Sequence, residues 1–174
     1  MTTDGADVVW RLDGRLLDVL TGLGAPFERV EAGAYVVTLP GRRPTLVWLV
    51  AGEQAVAVEA FVLHVVEVAD PSALHRALLV RNLRLREVHF GLDEVGDVFL
   101  TGSLPHAAVD VATVDRLLGE VLQLLEDSLE PLARLAYGDR LVSDPALATK
   151  VRSDGAGRRP AGTPEHAPRR DVRR

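Results

Sequence analysis

Two segments of this chain are apolar on both of their alternating faces, and that feature restricts its fold more than any other. In Leu46-Val47-Trp48-Leu49-Val50 every side chain is apolar. Between Val56 and Val66 one parity carries Val56, Val58, Val62 and Val66 and the other Phe61, Leu63 and Val65. Successive residues of a strand point to opposite sides of a sheet, so strands of this kind need cover above and below. Tyr35 to Leu39, Thr45 to Val50 and Ala55 to Val66 are separated by the turn signals Pro40-Gly41 and Gly52-Glu53-Gln54. They read as three strands of an antiparallel meander.

The remaining periodic segments are helices and one hairpin. Val9, Leu12, Leu16, Val19, Leu20 and Leu23 recur at helical spacing, which predicts a helix over 7–23 stopped by Gly24 and Pro26. Asp70 before Pro71 marks the start of a second helix through Leu74, Leu78 and Leu79, with Asn82 as its expected left-handed end. Glu87 to Leu92 alternates, Val98 to Leu104 supplies a partner strand, and Asp93 to Asp97 reads as the hairpin loop between them. A third helix begins at N-cap Asp110 and runs through Val114, Leu117, Leu118, Val121, Leu125, Leu129 and Leu132. Pro131 inside that pattern removes one backbone hydrogen bond, so a kink is expected there. The expected fold is therefore α+β, a five-stranded antiparallel sheet with three helices in the order α-β-β-β-α-β-β-α. Three helices cover one sheet face well, and a partner subunit or a bound chain is expected to hide the rest of the second.

Charge divides the chain in two. Residues 1–140 hold 12 basic and 21 acidic side chains, whereas residues 141–174 hold 8 basic and 4 acidic. The expected organisation is an α+β domain over 1–140 and a basic Gly/Pro/Arg-rich disordered tail over 141–174, whose last stretch has too few apolar residues to offset ordering entropy. An acidic body repels phosphate backbones and anionic lipid, so neither nucleic acid nor a membrane surface is an expected partner of residues 1–140. No apolar run approaches the roughly 18 residues that span a bilayer, and the N-terminus has no basic, apolar leader, so the expected location is cytoplasmic. The complete absence of cysteine removes disulfides and thiolate chemistry and fits a reducing compartment.

Catalytic and ligand-binding patterns are not found. There is no phosphate loop, no dinucleotide fingerprint after a strand, no H-E-x-x-H and no G-x-S-x-G. His64, His75, His89, His106 and His166 lack the spacing that puts two imidazoles on one helical face. Asp93-Glu94-Val95-Gly96-Asp97 lacks the alternating oxygens of a calcium loop and reads as a polar turn. Glu120, Glu126, Asp127 and Glu130 read as the solvated side of an amphipathic helix. No catalytic, cofactor-binding or metal-binding residue is nominated, and no cofactor is expected. The candidate contacts are apolar: Trp48, Phe61 and Leu63 on the sheet and Leu74, Leu78 and Leu79 on the second helix, whose apolar residues span more of its circumference than one buried stripe needs.

The helix end Leu78-Leu79-Val80-Arg81-Asn82, the hairpin Phe90-Gly91-Leu92-Asp93 with Gly96-Asp97-Val98-Phe99-Leu100, and Leu104-Pro105 leading to Asp115-Arg116-Leu117-Leu118 resemble the YbjN family. This bacterial family is labelled a sensory transduction regulator and is related in fold to type III secretion chaperones. The likeness extends more weakly over residues 8–138, and the Arg-rich composition looks actinobacterial. It implies a non-enzymatic protein-binding module, chaperone-like or regulatory, that forms a homodimer through the second helix and holds a segment of an unknown client protein. A sensor with an apolar pocket between helix and sheet is the alternative. Deleting residues 155–174 is expected to move the melting temperature by no more than about a degree or two, because few buried contacts would be lost. Differential scanning fluorimetry of the two chains measures this, and a larger drop would show that the distal tail docks.

Overall fold

The computed structural model describes residues 3–65, 70–138 and 140 of the chain. Helix α1 (Thr3–Leu23) begins four residues ahead of the predicted start, buries Leu12, Leu16, Val19 and Leu20, and ends at Gly24, whose φ of 67° lies in the left-handed region. A meander of four strands follows: β1 (Phe27–Glu31), β2 (Ala34–Leu39), β3 (Thr45–Ala51) and β4 (Ala55–Leu63). Helix α2 (Pro71–Asn82) leads to the hairpin of β5 (Val88–Leu92) and β6 (Val98–Pro105). A short 3-10 turn then opens onto α3 (Val111–Tyr137). Asp70 and Asp110 cap their helices as predicted, accepting from the amides of Ala73 and Thr113. α3 continues through Pro131 as one helix to Tyr137.

The sheet has six strands, not five, in the spatial order β1-β2-β3-β4-β6-β5, and every neighbouring pair is antiparallel. The unpredicted strand is β1. Its sequence, Phe-Glu-Arg-Val-Glu, lacks a β-rich run because it is an edge strand with four of its five residues exposed. Its charges, and the register shift around Val30, are devices that discourage uncontrolled edge pairing. The hairpin joins the sheet through β6, the longer and more apolar of its two strands. β5 is left as the other edge.

Register assigns every strand residue to a face. One row across all six strands is Phe27, Val37, Val47, Ala60, Leu100 and Phe90; the next is Glu28, Val36, Trp48, Glu59, Thr101 and His89. The first row lies on the inner face, where α1, α2 and α3 all bury their apolar residues in a single core cluster with Val37, Val47, Leu49, Val58 and Leu100. The second row lies on the outer face, opposite the helices. A bulge in β4 shifts the register between Phe61 and Leu63, so that Val62 and Leu63 both turn inward and Phe61 stays outside. Phe61 and Leu63 therefore do not share a face, although they share a parity. The predicted extension of this strand to Val66 is corrected: β4 ends at Leu63, and residues 66–69 and 141–174 lie outside the described residues.

Asn82 does not close α2 in a left-handed conformation. It is the last helical residue, ahead of a right-handed Leu83. Its side-chain amide donates to the Phe90 carbonyl at 2.9 Å, and its side-chain oxygen accepts from the Phe90 amide at 2.8 Å. Both hydrogen-bonding groups of one β5 residue are thereby satisfied, and the edge strand is tied to the helix.

In the β5–β6 loop the Asp93 carboxylate accepts from the amides of Val95 and Asp97, and Gly96 has φ 90°. This is the polar turn that the sequence predicts. A side chain with a branched Cβ strains that conformation, so Gly96→Val is expected to destabilise the protein by about 1 kcal/mol or more. Urea denaturation measures the change, and a neutral result would remove the backbone argument.

Candidate functional site

Two apolar surfaces and two polar clusters stand out once the helices are placed. The first apolar surface is on α2. Leu74 and Leu78 enter the core, whereas Leu79, Val80 and Leu83 are 68%, 50% and 85% exposed. At 100° per residue, Leu79 and Leu83 sit one turn apart on the side away from Leu74. The second apolar surface is the outer sheet face. Trp48 is half-buried there between Val36 and Glu59, with Leu46 and Val50 along the same strand. Phe61 and Phe99 pair across β4 and β6 and meet edge to face with centroids 5.4 Å apart.

The six candidate contacts are thus dispersed. Leu63, Leu74 and Leu78 are spent on the chain's own core, Trp48 and Phe61 lie on the outer face, and Leu79 stands free on α2. Leu83 escaped the sequence reading because it is the cap residue just beyond α2, although its spacing of four from Leu79 was the available signal. Trp10, 70% exposed, was missed because the other residues of its helix fit one buried stripe. Trp10 and Leu17 point the same way on α1. Asp13 lies between that direction and the buried stripe, on the side of β1.

Asp13 is the centre of the first polar cluster. Its carboxylate pairs with Arg29 of β1, accepts from the Gly33 amide at 2.8 Å, and accepts from the Tyr35 hydroxyl at 2.6 Å. Burial alone would raise this carboxyl. The bonds from Tyr35 and Gly33 and the charge of Arg29 outweigh it and hold the group below the ordinary carboxylate range. Burial, reinforced by the bond to Asp13 and its charge, pushes the Tyr35 phenol upward. Gly33 has φ 78° and would press any Cβ against Ala51 and Val9, so the hairpin that offers its amide to Asp13 requires glycine there.

The second polar cluster is at the far end of β4. His64 Nδ1 lies 2.6 Å from Asp97 Oδ2, Asp97 Oδ1 accepts from the Val65 amide, and the Tyr137 hydroxyl donates to the His64 carbonyl. It fastens the end of α3 to the hairpin loop. His106 contacts the Gly52 carbonyl at 3.0 Å, and His75 and His89 are exposed. Glu126 is not a purely solvated acid: its carboxylate accepts from the Arg42 amide and holds the β2–β3 connection to α3. Among the described residues no three His, Cys, Asp or Glu side chains gather as a metal site, and no helix is long and apolar enough to cross a membrane.

The fold, a six-stranded antiparallel sheet with three helices on one side, is similar to that of two solved complexes. The ExsC–ExsE complex matches with a TM-score of 0.54 and 20% identity, covering 70% of this chain and 93% of that one. The HopA1–SchA chaperone–effector complex matches with a TM-score of 0.55 and 16% identity, covering 72% and 96%. The chain belongs to the YbjN family, described as "Putative bacterial sensory transduction regulator", whose model matches residues 13–134. Uncharacterized proteins of Mycobacterium bovis and Mycobacterium tuberculosis are 40% identical over 106 residues, and one of Mycobacterium leprae is 41% identical over 104. The matches cover 60% and 59% of this chain, and the chain spans 57% and 56% of those relatives.

Asp13 and Glu59 are expected to tilt the pH dependence of stability in opposite directions. Asp13 titrates below its ordinary 3.8 in the fold, so its contribution is full above that value and is lost as pH falls through the lowered one. Asp13→Asn should cost about 1.5–3 kcal/mol at neutral pH, the range for a bond to a charged group, and flatten the acid limb. Burial raises Glu59 above its ordinary 4.5, so its contribution is present below 4.5 and is lost as pH rises through the raised value. Glu59→Gln should therefore gain stability at pH 7 relative to pH 4. Urea unfolding at both pH values tests each variant, and an unchanged profile would contradict the assignment.

Proposed function

We propose that this protein is a non-enzymatic, cytoplasmic protein-binding module, chaperone-like or regulatory, that acts as a homodimer and holds an extended segment of a client protein. The observation that carries the reading is the strip Leu79, Val80 and Leu83 at the C-terminal end of α2. Three large apolar side chains at 50–85% exposure, two on the last turn of a twelve-residue helix and one on its cap, form a surface suited to association rather than to water. In a two-fold contact the same strip occurs on both subunits, so each leucine counts twice. Edge strand β1 offers the outer edge of the sheet to an extended client, and Trp10 and Leu17 on the β1 side of α1 offer apolar anchors beside it. Further support comes from the fold, which recurs in a complex described as chaperone and effector.

The dimer test must avoid Leu78, whose side chain is in the core: Leu78→Asp would unfold the subunit and say nothing about association. Leu79→Asp removes one exposed contact from each subunit. Burial of a leucine stabilises by about 1.5–3 kcal/mol, so the variant should be monomeric at concentrations where the native chain is dimeric, with its far-UV circular dichroism unchanged. Multi-angle light scattering reads the masses. A native chain that remains monomeric at high micromolar concentration would overturn the dimer. Native mass spectrometry of protein purified from its own host reads the client, and a retained small molecule in place of a polypeptide would overturn that part.

A further inference from the structure

The outer sheet face carries a charge that no neighbouring side chain balances. Glu59 stands at its centre, directly opposite Trp48 of β3 on one side and Thr101 of β6 on the other, and is half-buried. It makes no hydrogen bond or ion pair among the described residues, and burial raises its carboxyl with nothing to offset the shift. The six strands contain a single Lys or Arg, Arg29, and that side chain is paired with Asp13 on the helix side of the sheet. Around Glu59 the face is apolar: Trp48, Leu46, Val36 and Val50 are half-buried, and Phe61 and Phe99 are buried. An unpaired carboxylate among apolar side chains destabilises the free fold, and a cation brought from outside would relieve it.

We propose that the outer face binds an extended segment of another protein that carries two arginines four residues apart with an apolar residue midway between them. Glu59 and Trp48 recognise one arginine together, because a guanidinium is planar, forks onto a carboxylate and stacks on an indole. The second arginine follows from register. Glu28 of β1 lies in the same row as Glu59, with Val36 and Trp48 between them, and three strand spacings set the two positions about 14 Å apart. Residues i and i+4 of an extended chain share a side and lie about 13 Å apart. A segment crossing the strands therefore sets its arginines over the two acids and the residue between them over Val36 and Trp48. A second copy of this chain fits less well. A two-fold contact centred on the face would set Glu59 against its own counterpart, and the strands present no arginine or lysine there to separate the charges. The site uses neither α2 nor the main-chain edge of β1, so the dimer and the edge-bound client could each fail without affecting it.

The test is isothermal titration calorimetry of the full chain with the acetylated, amidated peptide Gly-Ser-Arg-Thr-Val-Thr-Arg-Ser-Gly. Saturable one-to-one binding is expected, and Glu59→Gln should weaken it at least tenfold. The same variant should be at least as stable as the native chain at pH 7, so a loss of binding would not reflect unfolding. Bringing the arginines to two residues apart, in Gly-Ser-Thr-Arg-Val-Arg-Thr-Ser-Gly, should weaken binding to the native chain at least fivefold. Should Glu59→Gln fail to fold, that comparison decides. No binding by the native chain, equal affinity in a folded Glu59→Gln, or equal affinity for the two peptides would overturn the proposal. So would efficient joining of Thr101→Cys between two chains by a short bismaleimide, since that thiol is exposed on the outer face, has no other cysteine to react with, and would assign the face to a second copy.

Discussion

All three helices land on the same side of the sheet, and most of the remaining architecture follows from that placement. The inner row Phe27, Val37, Val47, Ala60, Leu100 and Phe90 is continuous across six strands, giving α1, α3 and α2 one apolar floor. α3 packs on β4 at the centre and touches α1 on one side and α2 on the other. One large core rather than two thin ones buries most of the apolar area, which is the dominant favourable term in folding. Its corollary is a second face that the helices leave to be covered by other means.

The bulge in β4 sets the limit between the two faces. Without it Leu63 would share the outer face with Phe61 and the core would lose a fully buried leucine. With it, both Val62 and Leu63 reach the core and the strand bends away just where His64 meets Asp97. Around the rim, polar side chains of one element satisfy the backbone of another. Asp13 of α1 takes the Gly33 amide, Asn82 of α2 takes both groups of Phe90, and Glu126 of α3 takes the Arg42 amide. Each connects a helix to a hairpin, an edge strand or a loop, the parts that apolar packing orders least. Removing such a partner leaves a backbone group unsatisfied, so these few polar residues specify position more than they add stability.

The elements that could be read in the sequence are those with local signals. Asp70 and Asp110 announced α2 and α3 because an N-cap acts within three residues, and Asp93 with Gly96 announced the hairpin turn for the same reason. β1 was illegible since an exposed edge strand needs no apolar alternation. The bulge at Val62 was hidden because parity alone cannot show where two consecutive residues face the same way. The role of Asn82 depends on Phe90, eight residues away on another element, so its intrinsic turn preference misled. On the candidate surfaces, composition indicated excess apolar residues on α2 and on both sheet faces. Only the register and the helix positions could divide Leu78 from Leu79 and Leu63 from Phe61.

Those divisions change what the fold can do. Had Leu74, Leu78 and Leu79 all faced outward, α2 would have had no attachment to its own domain, and a dimer would have been a condition of folding. With Leu74 and Leu78 inward, the subunit has a complete inner core, and the association proposed through Leu79 and Leu83 would be an equilibrium set by concentration. The same reasoning applies to the sheet. Trp48 and Phe61 sit on a face that is already partly enclosed, while Trp10 and the open edge of β1 remain accessible, so the surfaces richest in apolar residues by sequence are not the ones most available to a partner. A fold of this construction separates the apolar area that stabilises it from a smaller apolar area that stays exposed. Mutations in the first area lower the amount of folded protein, whereas those in the second leave the fold intact.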